Sequence, residues 1–394
     1  MAVILPSKSS KPHVFISNII SRFRSKNSKG SKTYESHMPQ EIQQDARPPL
    51  IPAPLPLVLP EHQLSLSSLG WTTVTFPQST SQSQDPADSN PESSHQVLGH
   101  HPLQIAYEAL FAASQAFFDQ SDEEKQVWKH KLGSEEGWSK IPGEKEFITL
   151  RTLEYCPEVL REPAKRYWDL MGAHLSSTLG RISTSLALPA GEDEGLQQFV
   201  GPCATFQASD DLKTATMLRL FRYEGWEAKV VAEPHADLGL LSIVVGNVPG
   251  LEVWDGQTWF EVEREVERSG QKGASMLVGR QLERLSNGRY AAGGHRVVSY
   301  GSHKPPIAPA VEEKAYRFSI VLVLRAHEPV IINSDELVTD ITGKWADPIK
   351  GVTAGKFYEE IRGRHFNINI DVSEREKQRR RVRQVKGKDG EGFS

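Results

Sequence analysis

Met217-Leu-Arg-Leu-Phe-Arg-Tyr223 is where the pattern of the chain changes. Upstream, apolar residues recur about every 3.6 positions; from Ala215 onward they recur about every second position, the period of a half-buried strand. Leu238–Val245, Leu251–Trp254, Thr258–Val262, Ser275–Val278, His295–Tyr300 and Tyr316–Arg325 continue the strand reading. Asp255-Gly256 and Asn287-Gly288 are hairpin-forming dipeptides between them. Short strands with regular turns predict an antiparallel barrel or a double-sheet jelly roll.

Outward from that core the sequence is helical, polar or basic. Leu103, Tyr107, Leu110, Phe111, Ser114, Phe117 and Phe118 mark one helix face, and Ser121 and Glu124 have capping-box spacing. A second amphipathic helix is predicted from Pro163, a good first-turn residue, through Ile182 and on to Gly191. Leu64–Pro77 reads as a strand, and residues from about 78 to 99 as a polar surface insertion. Prolines between Arg47 and Pro60 predict an extended connector, and residues 1–34 carry seven Lys and Arg with no acid, as mitochondrial presequences do. The chain thus divides into a basic, Pro-rich extension (1–60), a helical region (61–200), a strand-rich core (201–370) and a charged tail (371–394).

The balance of charge is ordinary for a soluble protein: 46 Lys and Arg against 50 Asp and Glu leave a net charge of −4 over 394 residues. That balance gives no electrostatic reason to expect nucleic acid, and no apolar run approaches the roughly 18 residues of a membrane span. Two cysteines, Cys156 and Cys203, exclude a disulfide framework and point to a reducing compartment. The expectation is a cytoplasmic monomer, with mitochondrial targeting the alternative that residues 1–34 suggest.

Among 13 histidines, only His235 opens an H-x-D triplet, His235-Ala-Asp237. At the start of a strand, residues i and i+2 share a face, so an imidazole and a carboxylate would meet one metal ion. A distant histidine would complete a facial triad of two His and one carboxylate, which leaves coordination positions open. His295, His303, His327 and His365 are the candidates. His295, opening the alternating strand His-Arg-Val-Val-Ser-Tyr300, is the best placed, the alternative being a hydrogen-bonded core histidine. Arg317-Phe-Ser319 sets an Arg and a hydroxyl on one strand face, as a carboxylate site requires. The same R-x-S spacing occurs at Arg181 and Arg284.

Taken in order, Leu218–Tyr223, His235–Ser242, Gly250–Val253, Asp255–Trp259, Leu285–Gly288, His295–Val297 and Arg317–Ser319 resemble the iron(II)- and 2-oxoglutarate-dependent oxygenases of the isopenicillin N synthase-like family. The resemblance covers roughly residues 215–330, and more loosely the upstream part. It implies an α+β protein, mainly β, with a double-stranded β-helix preceded by a helical segment packed on it. It further implies that His235, Asp237 and His295 bind Fe(2+) and that Arg317, Ser319 and Tyr223 contact 2-oxoglutarate. The implied reaction couples oxidative decarboxylation of that co-substrate, with molecular oxygen, to hydroxylation, desaturation or ring closure of a small organic metabolite. A jelly-roll module that binds metal or ligand without turnover is the alternative, as is a relative that dispenses with 2-oxoglutarate. Two departures from the family stand out. Leu277-Val-Gly-Arg280 replaces an Asn-x-Gly-Asp pattern, which calls pocket shape into question. The interval from Arg296 to Tyr316 is long, and an even choice remains between a lid over the site and a passive surface loop.

Overall fold

The strand-period segments pair into two antiparallel sheets in a computed structural model that describes residues 45–77, 79–81, 97–130, 135–224, 228–268, 270–301, 316–365, 367–370, 373–378 and 380. The strands that build the two sheets are β1 (Trp71–Thr75), β2 (Gly137–Ile141), β3 (Lys145–Leu150), β4 (Met217–Glu224), β5 (Ala228–His235), β6 (Leu241–Gly246), β7 (Leu251–Trp254), β8 (Trp259–Phe260), β9 (Gly273–Val278), β10 (His295–Tyr300) and β11 (Tyr316–Leu324). The larger sheet has the order β1-β9-β6-β11-β4-β3-β2 and the smaller β8-β7-β10-β5. Central strands of the larger sheet are apolar on both faces because both are covered. On one side Leu220, Ile243, Val245 and Ile320 pack with α1 (Pro102–Phe118) and α2 (Glu158–Ser185), whose Phe117, Trp168 and Leu175 are fully buried. On the other, Phe147, Phe221 and Val244 meet Val231, Val253 and Val297 of the smaller sheet. Residues from Arg47 onward form one unit. Among the described residues no helix is long and apolar enough to cross a membrane.

Several boundaries differ from those expected. The segment read as a strand from Leu64 is helical over Ser65–Leu69, and the strand starts only after Gly70, at φ 79°. Helix α2 starts at Glu158 behind Pro157, so Pro163 lies inside it, and it ends at Ser185 well before Gly191. The run Thr258–Val262 contributes only β8; from Val262 the chain turns into α3 (Val262–Arg268). Asn287-Gly288 is no hairpin turn: both residues have positive φ and terminate α4 (Arg280–Leu285), with Gly288 N donating to Glu283 O. Strands β2 and β3, in the region expected to be helical, extend the larger sheet by pairing β3 with β4. The capping box at Ser121 and the Asp255-Gly256 turn, where Asp255 accepts from Gln257 N and Thr258 N, are as read. Residues 1–44, most of the polar insertion, the interval 302–315 and most of the charged tail lie outside the described residues, and with them the targeting, insertion and lid expectations.

One buried cation ties the layers together. Lys145, 1% exposed, starts β3 in the larger sheet and donates to Val231 O of β5 in the smaller, at 3.4 Å, and to Ile368 O near the C-terminal end, at 3.3 Å. Burial pushes its pKa down to about 7. Below that pH both folded and unfolded chains are protonated there, and the folded protein bears the full cost of the desolvated ammonium. Between pH 7 and the ordinary lysine value the unfolded chain holds more protons, so stability rises with pH. Lys145→Met, which keeps the stem and removes the charge, is expected to stabilise the folded protein at pH 6 by on the order of a few kcal/mol. That advantage should shrink toward pH 10. Calorimetry across that range would show the opposite trend if the carbonyl contacts outweighed desolvation.

Candidate metal centre

Strand register brings two histidines together. His295 opens β10 and pairs across the antiparallel ladder with His235, the last residue of β5. His235 therefore ends a strand, where the sequence placed it at a strand's start. Lys229, Glu233 and Pro234 obscured β5, an edge strand on which charges and proline are tolerated. The two ring centroids are 4.1 Å apart. His235 Nδ1 donates to Glu233 O at 2.7 Å and His295 Nδ1 to Gly293 O at 3.0 Å. A carbonyl only accepts, so each ring carries its proton on Nδ1 and presents the Nε2 lone pair. Burial, and then His295 beside it, pushes the His235 pKa down to about 3 and keeps that ring neutral.

Asp237 completes the cluster from the turn after β5. Its Oδ1 lies 3.8 Å from His235 Nε2 and its Oδ2 3.9 Å from His295 Nε2, and buried Oδ2 has no hydrogen-bond partner. One ligand atom from each of the three lies within 4.8 Å of the others. Three acceptors thus converge with no donor among them, which favours a cation. Two atoms bound to one ion at about 2.1 Å can be no more than about 4.2 Å apart, and these two separations satisfy that limit. Two imidazoles and a carboxylate suit iron(II) and leave positions free.

The unusual stretch Leu277–Arg280 proves to be what holds this turn. Arg280 N donates to Asp237 O at 2.8 Å, Gln281 N to Gly239 O at 3.0 Å and Gly279 N to Leu240 O at 2.9 Å. Gly279 lies so close to the Gly239 backbone that a Cβ would collide with it. The backbone does the gripping here, so the side chains of the family pattern are not needed for it.

The cluster opens into a cavity of about 900 Å³ between the sheets, with Tyr223 and Ser319 on its wall. His365 lines the same cavity, but its Nδ1 is bonded to Ile361 O; the backbone N–H of His327 donates to Phe199 O, and that residue does not reach the cluster. His303 lies outside the described residues. Arg317 is 4% exposed and sits over the Tyr223 ring at 5.5 Å, but it is not free. Its Nη2 donates to both oxygens of Glu263 at 2.9 Å and its Nε to Val248 O at 3.1 Å. Glu263 also accepts from Gly250 N and Leu251 N. Arg317 Nη1 and Ser319 Oγ are buried without partners. Burial pushes the Tyr223 phenol up to about 12. No sequence signal marked Glu263, which lies just beyond the strand expected over Thr258–Val262, in a helix that the sequence pattern did not reveal.

No family model matches the chain. An Arabidopsis thaliana protein, "Probable flavonol synthase 6", is 32% identical over 87 residues, 22% of this chain and 28% of that protein, so the chain spans under a third of that relative. Among solved structures, JOX2 in complex with 2OG, Fe and JA superimposes with a TM-score of 0.52 at 18% identity, over 76% of this chain and 79% of that one. A full-length Neurospora crassa protein in complex with alpha-KG and 5-formyluracil gives 0.50 at 18% identity, over 75% and 86%. The chain has the fold of the 2-oxoglutarate and iron oxygenases. Within that oxygenase fold, the three convergent acceptors lie on the cavity side of the smaller sheet and the unpartnered Ser319 hydroxyl on the facing wall.

Asp237→Ala removes the only anionic member of the cluster. Because outer-shell changes alone cost about 10–100-fold in metal affinity, loss of a direct ligand should cost about a hundredfold or more. Calorimetric titration with Mn(II) as an air-stable substitute would measure it, and unchanged affinity would remove Asp237 from the site.

Proposed function

We propose that this chain is an iron(II)- and 2-oxoglutarate-dependent oxygenase built on a double-stranded β-helix, with its metal-holding strands between residues 201 and 370. The observation that carries the reading is a complementary pair of deficits in one fold. His235, Asp237 and His295 offer acceptors without a donor, while Arg317 Nη1 and Ser319 Oγ are buried donors without an acceptor. A cation answers the first and a carboxylate the second. Iron, when bound, would activate dioxygen, the oxidant, and 2-oxoglutarate would supply two of the electrons it takes up, leaving as succinate and carbon dioxide.

The residues of the chain have separable tasks. His235 and His295 hold their protons on Nδ1, so both Nε2 atoms stay available for the metal. Glu263 and the Val248 carbonyl fix the Arg317 guanidinium on two of its three nitrogens and leave Nη1, with Ser319 and Tyr223, for the distal carboxylate of the co-substrate. Phe221, Leu251, Trp254 and Trp259 present apolar surface that orients a substrate carbon and excludes water. The substrate is then a small organic molecule, with hydroxylation as the default outcome and desaturation or ring closure as variants.

Oxygen-free titration of the full chain with Fe(II) and then 2-oxoglutarate tests the proposal through the visible charge-transfer band of the chelate. The band should appear and saturate. Arg317→Leu should still bind Fe(II) while weakening 2-oxoglutarate roughly 10–100-fold, the range set by a hydrogen bond to a charged group worth about 1.5–3 kcal/mol. No band in the wild-type chain, or a band indifferent to Arg317, would overturn the assignment.

A further inference from the structure

Arg219 differs from the other arginines that reach the interior. Arg222 pairs with Asp119 and Glu146, Arg317 with Glu263, Arg325 with Glu135, and Arg375 with Glu144 and Glu233. Arg219 has no carboxylate within ion-pair distance among the described residues. Its Nε donates to Thr149 Oγ1 at 2.8 Å, and its guanidinium lies over the Phe147 and Phe221 rings at 5.5 and 6.0 Å. It lines the same cavity as His235, Asp237 and His295. Of the carboxylates whose charge reaches Arg219, Glu135 already accepts from Arg325 on both oxygens and Asp237 is directed at the metal position, so neither is left to neutralise Arg219 once a cation is held there.

A guanidinium in a partly desolvated wall is costly without an anion, and an anion entering the cavity removes that cost. The co-substrate is the wrong anion for it. On β4, Arg219 stands four residues from Tyr223, the partner of Arg317 in the ladder, which is about 13 Å along a strand. Four carbon–carbon bonds of about 1.5 Å separate the two carboxyl carbons of 2-oxoglutarate, which spans about 5 Å at most. The cavity wall has an apolar portion, Phe221, Leu251, Trp254, Trp259 and Val297, and a charged one that includes Glu135, Arg280 and Arg325.

We infer that Arg219 is a substrate-binding residue, and that the substrate is a small monocarboxylic acid with an apolar body. This rests on the oxygenase reading above: the acid's carboxylate bonds Arg219 and its hydrocarbon part lies along the aromatic wall, where the metal faces it.

The full chain loaded with Mn(II), so that Asp237 is engaged, can be titrated with 3-phenylpropionate and with its neutral isostere 3-phenylpropionamide, read by calorimetry and by the tryptophan fluorescence to which Trp254 and Trp259 of the cavity contribute. The acid should bind at least about tenfold more tightly than the amide, as a charge-assisted contact requires, and saturating 2-oxoglutarate should not displace it. Arg219→Leu and Arg219→Gln should abolish the preference, and Arg219→Lys should keep part of it; three replacements guard against one that does not fold. Equal binding of acid and amide by the wild type, a preference that survives in folded Arg219→Leu or Arg219→Gln, or competitive displacement by 2-oxoglutarate would each overturn the inference. A parallel 2-oxoglutarate titration of Arg317→Leu separates the two readings. Indifference there sinks the co-substrate site, whereas loss of acid preference tracks Arg219 alone.

Discussion

The pairing of β5 with β10 is the constraint on which the rest depends. His295 faces His235 on one side and Val253 on the other, so β10 is held from both neighbours at the residue that carries a ring. Side chains alternate between faces along a strand, and a slip by one residue would send His295 away from the cavity and Arg296 into it. Register shifts follow between His295 and Val298, and beyond them the two strands stay paired as far as Tyr300 and Ala228. The turn bearing Asp237 is then locked from outside the ladder, by the backbone of Gly279–Gln281. The three ligand groups therefore arise from one pairing and one backbone clamp rather than from any local motif.

Charge is distributed through this interior in matched pairs whose use is positional. Glu146 accepts from Lys125 Nζ and Trp138 Nε1 and pairs with Arg222, which itself lies over Tyr316. Glu135 holds Arg325 against the Tyr358 ring, and the arginine's charge holds the Glu135 carboxyl down at about 2 despite its burial. Buried pairs of this kind contribute little net stability, because desolvation offsets the attraction, but they restrict each guanidinium to one orientation. Glu263 shows the effect most plainly. It accepts two backbone N–H groups and both of its oxygens take Arg317, so the arginine cannot swing, and Nη1 alone is left unpartnered.

Much of this was legible in the sequence where local chemistry and tertiary placement agree. Leu251–Trp254 was read to the residue because turn signals bound it, His295–Tyr300 because its alternation coincides with one buried face, and Asp255-Gly256 because a side chain caps its own turn. Reading failed where packing overrode pattern. β5 carries charges and a proline that only an edge strand accepts; β2 and β3 follow helices and offered no long alternation. Asn287-Gly288 has the conformations of a hairpin turn but uses them to stop α4. Pro163 can sit inside α2 because its neighbours are held by tertiary contacts, and Leu160 and Ala164 are fully buried. At the site, His235, Asp237 and His295 came from spacing and resemblance. Glu263 had neither, and Arg219 lay in the resembling stretch Leu218–Tyr223 with no role attached to it, since what distinguishes both is the presence or absence of a partner far away in the chain.

The edge strand β1 has a consequence for how such a chain matures. Its only neighbour in the larger sheet is β9, Trp71 pairing with Leu277, so the wholly buried β1 has nowhere to go until residue 277 has been synthesised. Arg375 adds a later step, because Glu144 and Glu233 gain their shared cation only once that residue is in place. Helices α1 and α2 are local and quick to form, whereas both sheets are closed by pairings between distant segments, which are slow to find. Until residue 277 has emerged a nascent chain leaves Val74 and its neighbours without the strand that covers them, an apolar edge open to pairing with other chains in the interval.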